Sequence, residues 1–137
     1  MKTIVVGYDD SEPAKRALER AATLAKAFGS QLVVTSVAAV LAPTGHGMSA
    51  IDPVESPEVH QGELADARVY LSAVGLEAEF VTGIGHPAAT IVELADERNA
   101  DLIVVGTREL SAVQRLFGAS VSAGVSKQAH CDVLIVH

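Results

Sequence analysis

The 137-residue sequence predicts an α/β fold, an open five-stranded parallel sheet with helices on both faces. Three observations carry that expectation. Short Val/Ile-rich runs alternate along the chain with stretches in which apolar residues recur every three or four positions. Three of the runs, Ile4-Val5-Val6, Leu102-Ile103-Val104-Val105 and Val133-Leu134-Ile135-Val136, are apolar without interruption, as strands covered on both faces require. The length suits one domain over residues 1–137 and is too short for an eight-stranded α/β barrel.

The elements follow in order. Ile4–Gly7 is the first strand. Ser11 is a suitable N-cap for the first helix, with Glu12 and Pro13 in its opening turn, where an acid and a proline suit a helix start. Ala14, Ala17, Leu18, Ala21, Ala25 and Phe28 share one face of it, and Gly29 is placed to end it in a left-handed turn. Leu32–Val37 is the second strand. The stretch Ala38–Pro57 holds Pro43, Gly45, Gly47, Pro53 and Pro57, so it cannot be helical throughout. A loop of that length inside a compact domain is usually functional or mobile. A second helix is expected over Glu58–Val74, a third strand over Glu79–Thr82 and a third helix over Pro87–Arg98. Strands at Leu102–Val105 and Val133–Val136 then flank a last helix that follows Ser120. No repeat or linker interrupts the pattern.

Composition narrows the function. Ten Lys+Arg against 17 Asp+Glu leave a formal charge of −7, a poor basis for sequence-independent binding to nucleic acid or to an anionic membrane. Aromatics are only 4% and Trp is absent, so the core must come from Val, Ile, Leu and Ala. The single cysteine, Cys131, excludes an internal disulfide framework and a cysteine-based zinc cluster, and it is expected to be a small buried apolar residue. The N-terminal apolar run turns polar by Asp9 and no run reaches membrane-spanning length, so a cytoplasmic location is expected.

In an open parallel sheet, ligands bind beyond the carboxyl ends of the strands, where the strand order reverses. Two segments stand out there. Gly7-Tyr8-Asp9-Asp10-Ser11 follows the first strand. Gly106-Thr107-Arg108-Glu109 follows the fourth and leads to Gly118-Ala119-Ser120-Val121-Ser122 at the start of the last helix. Small residues beside a helix N-terminus let backbone N–H groups approach an anion, and Ser120 and Ser122 add hydroxyl donors. The plainer reading is that Ala119-Ser120 only caps the helix.

The chain resembles the universal stress protein family over essentially its whole length. The resemblance rests on Ile4-Val5-Val6-Gly7-Tyr8-Asp9-Asp10-Ser11, Gly85-His86-Pro87-Ala88, Ala100-Asp101-Leu102-Ile103-Val104-Val105-Gly106-Thr107-Arg108 and Cys131-Asp132-Val133-Leu134-Ile135-Val136, taken in that order and spacing. It implies strand order 3-2-1-4-5, an adenine-nucleotide α-hydrolase-like fold, and a crevice between the first and fourth strands. Nucleotide-binding members carry G-x-x-G-x9-G-[S/T] around the phosphates of ATP. Counted back from Cys131, that pattern falls on Gly106, Glu109, Ala119 and Ser120, with Gly118 one place early. Glu109 would set a carboxylate against phosphate, and Ala119 adds a methyl where backbone must come close. Arg108 is positioned to offset one negative charge.

By the same resemblance, Asp9 in the loop of Gly7 and Tyr8 matches the acid near the ribose. Val37 matches the residue whose backbone meets adenine, Val105 and Gly106 flank the ribose, and Ser120, Val121 and Ser122 meet phosphate. The adenosine half is intact and the phosphate half degenerate, which implies weak or altered ATP binding and makes AMP or a related compound the alternative ligand. The role expected is non-catalytic stress adaptation or signalling. The competing role is a nucleotide-independent dimeric module that regulates a partner such as a transporter or enzyme. A slow ATPase would need a base and a phosphate-side metal ligand that cannot be identified beyond Asp9.

Other motifs compete less well. Gly83-Ile84-Gly85-His86-Pro87-Ala88 fits the dinucleotide pattern G-x-G-x-x-A, but it follows the third strand, whereas the fingerprint belongs in the first βα turn. Asp9-Asp10 suggests a phosphoacceptor receiver, yet Thr82 and His137 stand where that family's aspartate and lysine would be. Ser120-Val121-Ser122-Ala123-Gly124 lacks the first glycine and the preceding strand of a nucleophile elbow. The five histidines show no metal-ligand spacing, although His46 and His60 flank the long loop. Finally, a fifth strand at the sheet edge would expose an apolar template. Antiparallel pairing of residues 133–136 with a second copy would bury it and make a homodimer, which the resemblance also implies.

Overall fold

The computed structural model describes residues 1–39, 57–107 and 121–137. In chain order the elements are β1 (Thr3–Gly7), α1 (Glu12–Phe28), β2 (Gln31–Ala39), α2 (Pro57–Ala73), β3 (Glu79–Gly85), α3 (Pro87–Glu97), β4 (Leu102–Gly106), α4 (Val121–Gln128) and β5 (Asp132–Val136). All four strand pairings are parallel and the order is β3-β2-β1-β4-β5. The order reverses between β1 and β4, and β3 and β5 are the edges.

Strand alternation divides the core in two. Ile4, Val6, Tyr8, Leu32, Val34, Leu102, Val104 and Val136, with Leu134 at the margin, pack under α1 and α2 through Ala17, Leu18, Ala21, Leu64, Ala67 and Leu71. The intervening residues Val5, Val33, Ile103 and Val105, joined by Val37, Val133 and Ile135, pack under α3 and α4 through Ile91, Leu94 and Val125. Small alanines on α1 let that helix lie close to the sheet, which is how so few aromatics suffice.

Helix α1 begins and ends as its sequence dictates. Ser11 has extended backbone, and its side chain accepts the Ala14 N–H at 3.3 Å. Gly29 closes the helix in the left-handed region at φ 64°. One face residue departs from expectation. Phe28 is 59% exposed, whereas Ala22 is buried. Periodicity gives Phe28 the right direction, but it is the last helical residue, where cover runs out.

Two strands run further than their sequences suggest. β2 continues to Ala39 and β3 to Gly85, because they pair along their length: Val37 with Gly83, Ala38 with Ile84, Ala39 with Gly85. The pairing overrides the weak strand preference of two glycines. The Gly-Ile-Gly run therefore lies within β3 and is no loop after it. A Cβ on Gly83 would stand 2.9 Å from Thr90 Cγ2, and one on Gly85 would stand 3.0 Å from Thr90 Oγ1, so both glycines make room for α3. Of the long proline- and glycine-rich stretch, Ala38 and Ala39 belong to β2 and Pro57 opens α2; residues 40–56 lie outside the described residues.

Asp101, just before β4, ties that strand to the start of β1. Its Oδ2 accepts the N–H groups of Lys2 at 2.7 Å and Thr3 at 3.1 Å, and its own N–H bonds Thr3 O at 2.9 Å. Those backbone hydrogen bonds hold the Asp101 carboxyl below its ordinary range. Cys131 is half-buried against the α3/α4 core, and burial, followed by the nearby charges of Asp132, Asp96 and Asp101, pushes its thiol up.

Candidate nucleotide cleft

The carboxyl ends of β1 and β4 meet where the strand order reverses, and α1 begins directly above them. Gly106 makes that approach possible. A Cβ there would lie 2.5 Å from both C and O of Pro13 and 2.8 Å from Ala14 N, so the first turn of α1 sits on the bare backbone of β4. On the other face, a Cβ on Gly7 would stand 2.9 Å from Ile91 Cδ1 and 3.2 Å from Val105 Cγ1. Gly7, Val105 and Ile91 are therefore immediate neighbours.

The β1–α1 turn orients its acids differently. Asp9 Oδ1 accepts the Ser11 hydroxyl at 2.6 Å and the Ser11 N–H at 3.1 Å, the local turn that a short acidic side chain favours. The carboxylate is thus held by the residue that caps α1. Asp10 adopts a left-handed backbone at φ 63° and is exposed, with Lys15 Nζ 3.7 Å from its Oδ1. Tyr8 is 5% exposed and its ring belongs to the α1/α2 core, while its hydroxyl donates to Asp10 Oδ1 at 3.2 Å. Burial raises the Tyr8 hydroxyl pKa most strongly, followed by the charge of Asp10, its hydrogen bond, and the charges of Asp66 and Glu63. The residue gives the turn its backbone, with the N–H bonded to Thr35 O at 2.9 Å, and not its ring.

The residues expected to line the site come together in part. Val37, Val105 and Val121 belong to the single apolar cluster beneath α3 and α4, with Val37 and Val121 half-buried at its margin. Ser122, in the first turn of α4, is 7% exposed. Asp9 stands in the turn after β1, beside the end of β4. Arg108, Glu109, Ala119 and Ser120 lie outside the described residues, as does His46. Among the described residues no group of three or more His, Cys, Asp or Glu is arranged to hold a metal ion.

One polar pair near this region escaped the sequence. Ser36, 1% exposed and next to Val37, donates through its hydroxyl to Glu63 Oε2 at 2.7 Å. The polar pair Thr35-Ser36 inside a mostly apolar strand was the available signal, but the partner of Ser36 is 27 residues away on α2. The same helix brings Glu63 and Asp66 towards Tyr8.

The geometry has relatives. A universal stress protein of Mycobacterium tuberculosis is 35% identical over 146 residues, covering 99% of this chain and 96% of that protein. One from Thermus aquaticus is 36% identical over 144 residues, with 98% of each covered. Among solved structures, a universal stress protein in complex with cAMP is 34% identical with a TM-score of 0.74, covering 99% of this chain and 97% of its own. A universal stress protein from Archaeoglobus fulgidus in complex with dAMP is 25% identical with a TM-score of 0.71, over 100% of this chain and 98% of its own. The model of the universal stress protein family matches residues 1–137, and with the sheet order and these relatives the chain belongs to that family.

Proposed function

We propose that this universal stress protein works by binding an adenine nucleotide in the β1/β4 cleft, without turnover, and that it favours a monophosphate over ATP. The observation that carries the reading is the contrast between the two halves of the site. On the nucleoside side, Asp9 held by Ser11, Gly7 packed beside Val105, Gly106, and the half-buried Val37 support the reading. On the phosphate side, the sequence places Glu109 and Ala119 where the family's ATP-binding pattern has glycines, leaving Gly106, Ser120 and Ser122 in place and Arg108 as counter-charge. A carboxylate beside phosphate repels more strongly as phosphates and their charges are added. The related structures with cAMP and dAMP hold ligands with one phosphate each, which fits that order.

The test is calorimetric titration with AMP and ATP under the same conditions. AMP binding at least as tight as ATP is the expected result; tight ATP with much weaker AMP would overturn the argument from Glu109. The chain is proposed to act as one cytoplasmic domain over residues 1–137.

A second feature favours a protein–protein role alongside. β5 is an edge strand, and its Val133-Leu134-Ile135-Val136 run pairs with β4 on one side only among the described residues. Pairing residues 133–136 antiparallel with a second copy would cover that edge and give a homodimer. Such a dimer could regulate a partner protein with no nucleotide bound. Native mass spectrometry of the purified protein separates the readings, because it reports bound ligand and oligomer together.

A further inference from the structure

On the α1 side of the β5 edge lies an open groove of about 260 Å³ lined by Arg16, Glu19, Arg20, Thr23, Val136 and His137. Two guanidinium groups one helical turn apart, those of Arg16 and Arg20, line this groove with the acid Glu19. Arg16 is engaged, its Nε donating to His137 O at 2.9 Å. Arg20 is exposed and has no ion pair with any described residue. Asp132, at the other end of β5, is likewise exposed and unpaired among the described residues.

Symmetry and pleat connect the two. Leu134 and Val136 face the α1/α2 core and Val133 and Ile135 the α3/α4 core, so Asp132 shares the α1 face with Leu134 and Val136. A two-fold axis perpendicular to a continuous sheet keeps each face on its own side. Directly opposed residues of the two β5 strands must then share a face, which requires the axis to pass through a residue. Only an axis at Leu134 overlaps the five residues Asp132–Val136 completely with themselves. In that register the partner's Asp132 stands opposite Val136, on the α1 face, about 5 Å away at Cβ. That is the wall of the groove lined by Arg16 and Arg20.

Resting on the homodimer proposed above, we propose that the groove is a cross-subunit seat. The two β5 strands pair about Leu134, and the partner's Asp132 enters the groove to pair with Arg20, twice per dimer. The exposed acid and the unengaged guanidinium thereby fix the register of an apolar edge that would otherwise be free to slip.

Sedimentation equilibrium at micromolar concentration tests this with the full chain. Asp132→Lys and Arg20→Glu are each expected to raise the dimer Kd about tenfold, since every reversal acts at two sites. Combining them is expected to restore most of the wild-type affinity. In a Cys131→Ser background, Leu134→Cys should form an intersubunit disulfide on oxidation and Val133→Cys should not; this carries the test should a charge variant fold poorly. A dimeric wild type with both charge reversals silent, or crosslinking through Val133→Cys in place of Leu134→Cys, overturns the register and the ion pair while leaving the dimer standing. A monomeric wild type overturns the dimer itself, and the proposal with it.

Discussion

At the scale of the residue, three positions carry more than their neighbours. Gly106 is fixed by packing before any ligand is considered, since a methyl there would collide with the backbone of Pro13 and Ala14. Backbone cannot yield as a flexible side chain can. Gly106→Ala is therefore expected to cost about 1–3 kcal/mol by denaturant unfolding, with the α1 end of the cleft displaced as well. Asp101 holds the first strand through two backbone N–H groups. Its folded pKa lies below the unfolded value, so its contribution is fully present above the unfolded pKa of about 3.9 and is lost as pH falls through the folded pKa. Asp101→Asn should lower Tm at neutral pH, and the gap from wild type should close as the medium is acidified below pH ~3.9; a gap constant with pH would show that the charge is not what matters. Under the proposed function, Glu109→Gly removes a negative charge from the phosphate side and sets a glycine where the family's ATP-binding pattern has one. It is expected to tighten ATP by about tenfold, roughly 1.4 kcal/mol, while changing AMP less, as read by calorimetry.

At the scale of the element, Ser11 joins α1 to the cleft. Its hydroxyl accepts the Ala14 N–H as helix cap and donates to Asp9 as well. Ser11→Ala should cost about 1 kcal/mol of stability through the lost cap. It should also weaken nucleotide binding, because Asp9 loses the hydroxyl that donates to it at 2.6 Å; stability loss with unchanged affinity would mean that Asp9 is held by other means. Elements of this kind were legible in the sequence. The apolar runs, the Ser11 cap, Pro13 and Gly29 are local signals, and each strand and helix is found where they point. Local signals fail where an element's extent is set by a distant one. β3 outruns its expected end at Thr82 because β2 supplies partners up to Gly85, and Phe28 loses cover because α1 ends beneath it.

For the whole molecule, the sheet order sets β1 and β4 side by side where it reverses, and under the proposed function stability and ligand binding are linked there. A nucleotide that binds only the folded protein should stabilise it by about 2.7 kcal/mol at a concentration 100 times its Kd. A thermal-shift series with AMP should therefore show a concentration-dependent rise in Tm, and a flat response would favour the nucleotide-independent dimer. What the sequence determined by itself was the alternation of strands and helices, the two-sided burial of the sheet and, through ordered motifs, the family. These follow from short-range propensity, capping and periodicity, which neighbouring residues settle among themselves. Only the tertiary structure decided that Tyr8 turns its ring into the core, that Ser36 meets Glu63, that Asp101 reaches Lys2 across 99 residues, and that Arg20 and Asp132 are left exposed near the two ends of one edge strand. Each depends on which face of the sheet a residue takes and on what a distant element packs there, and no local stretch of sequence contains that information.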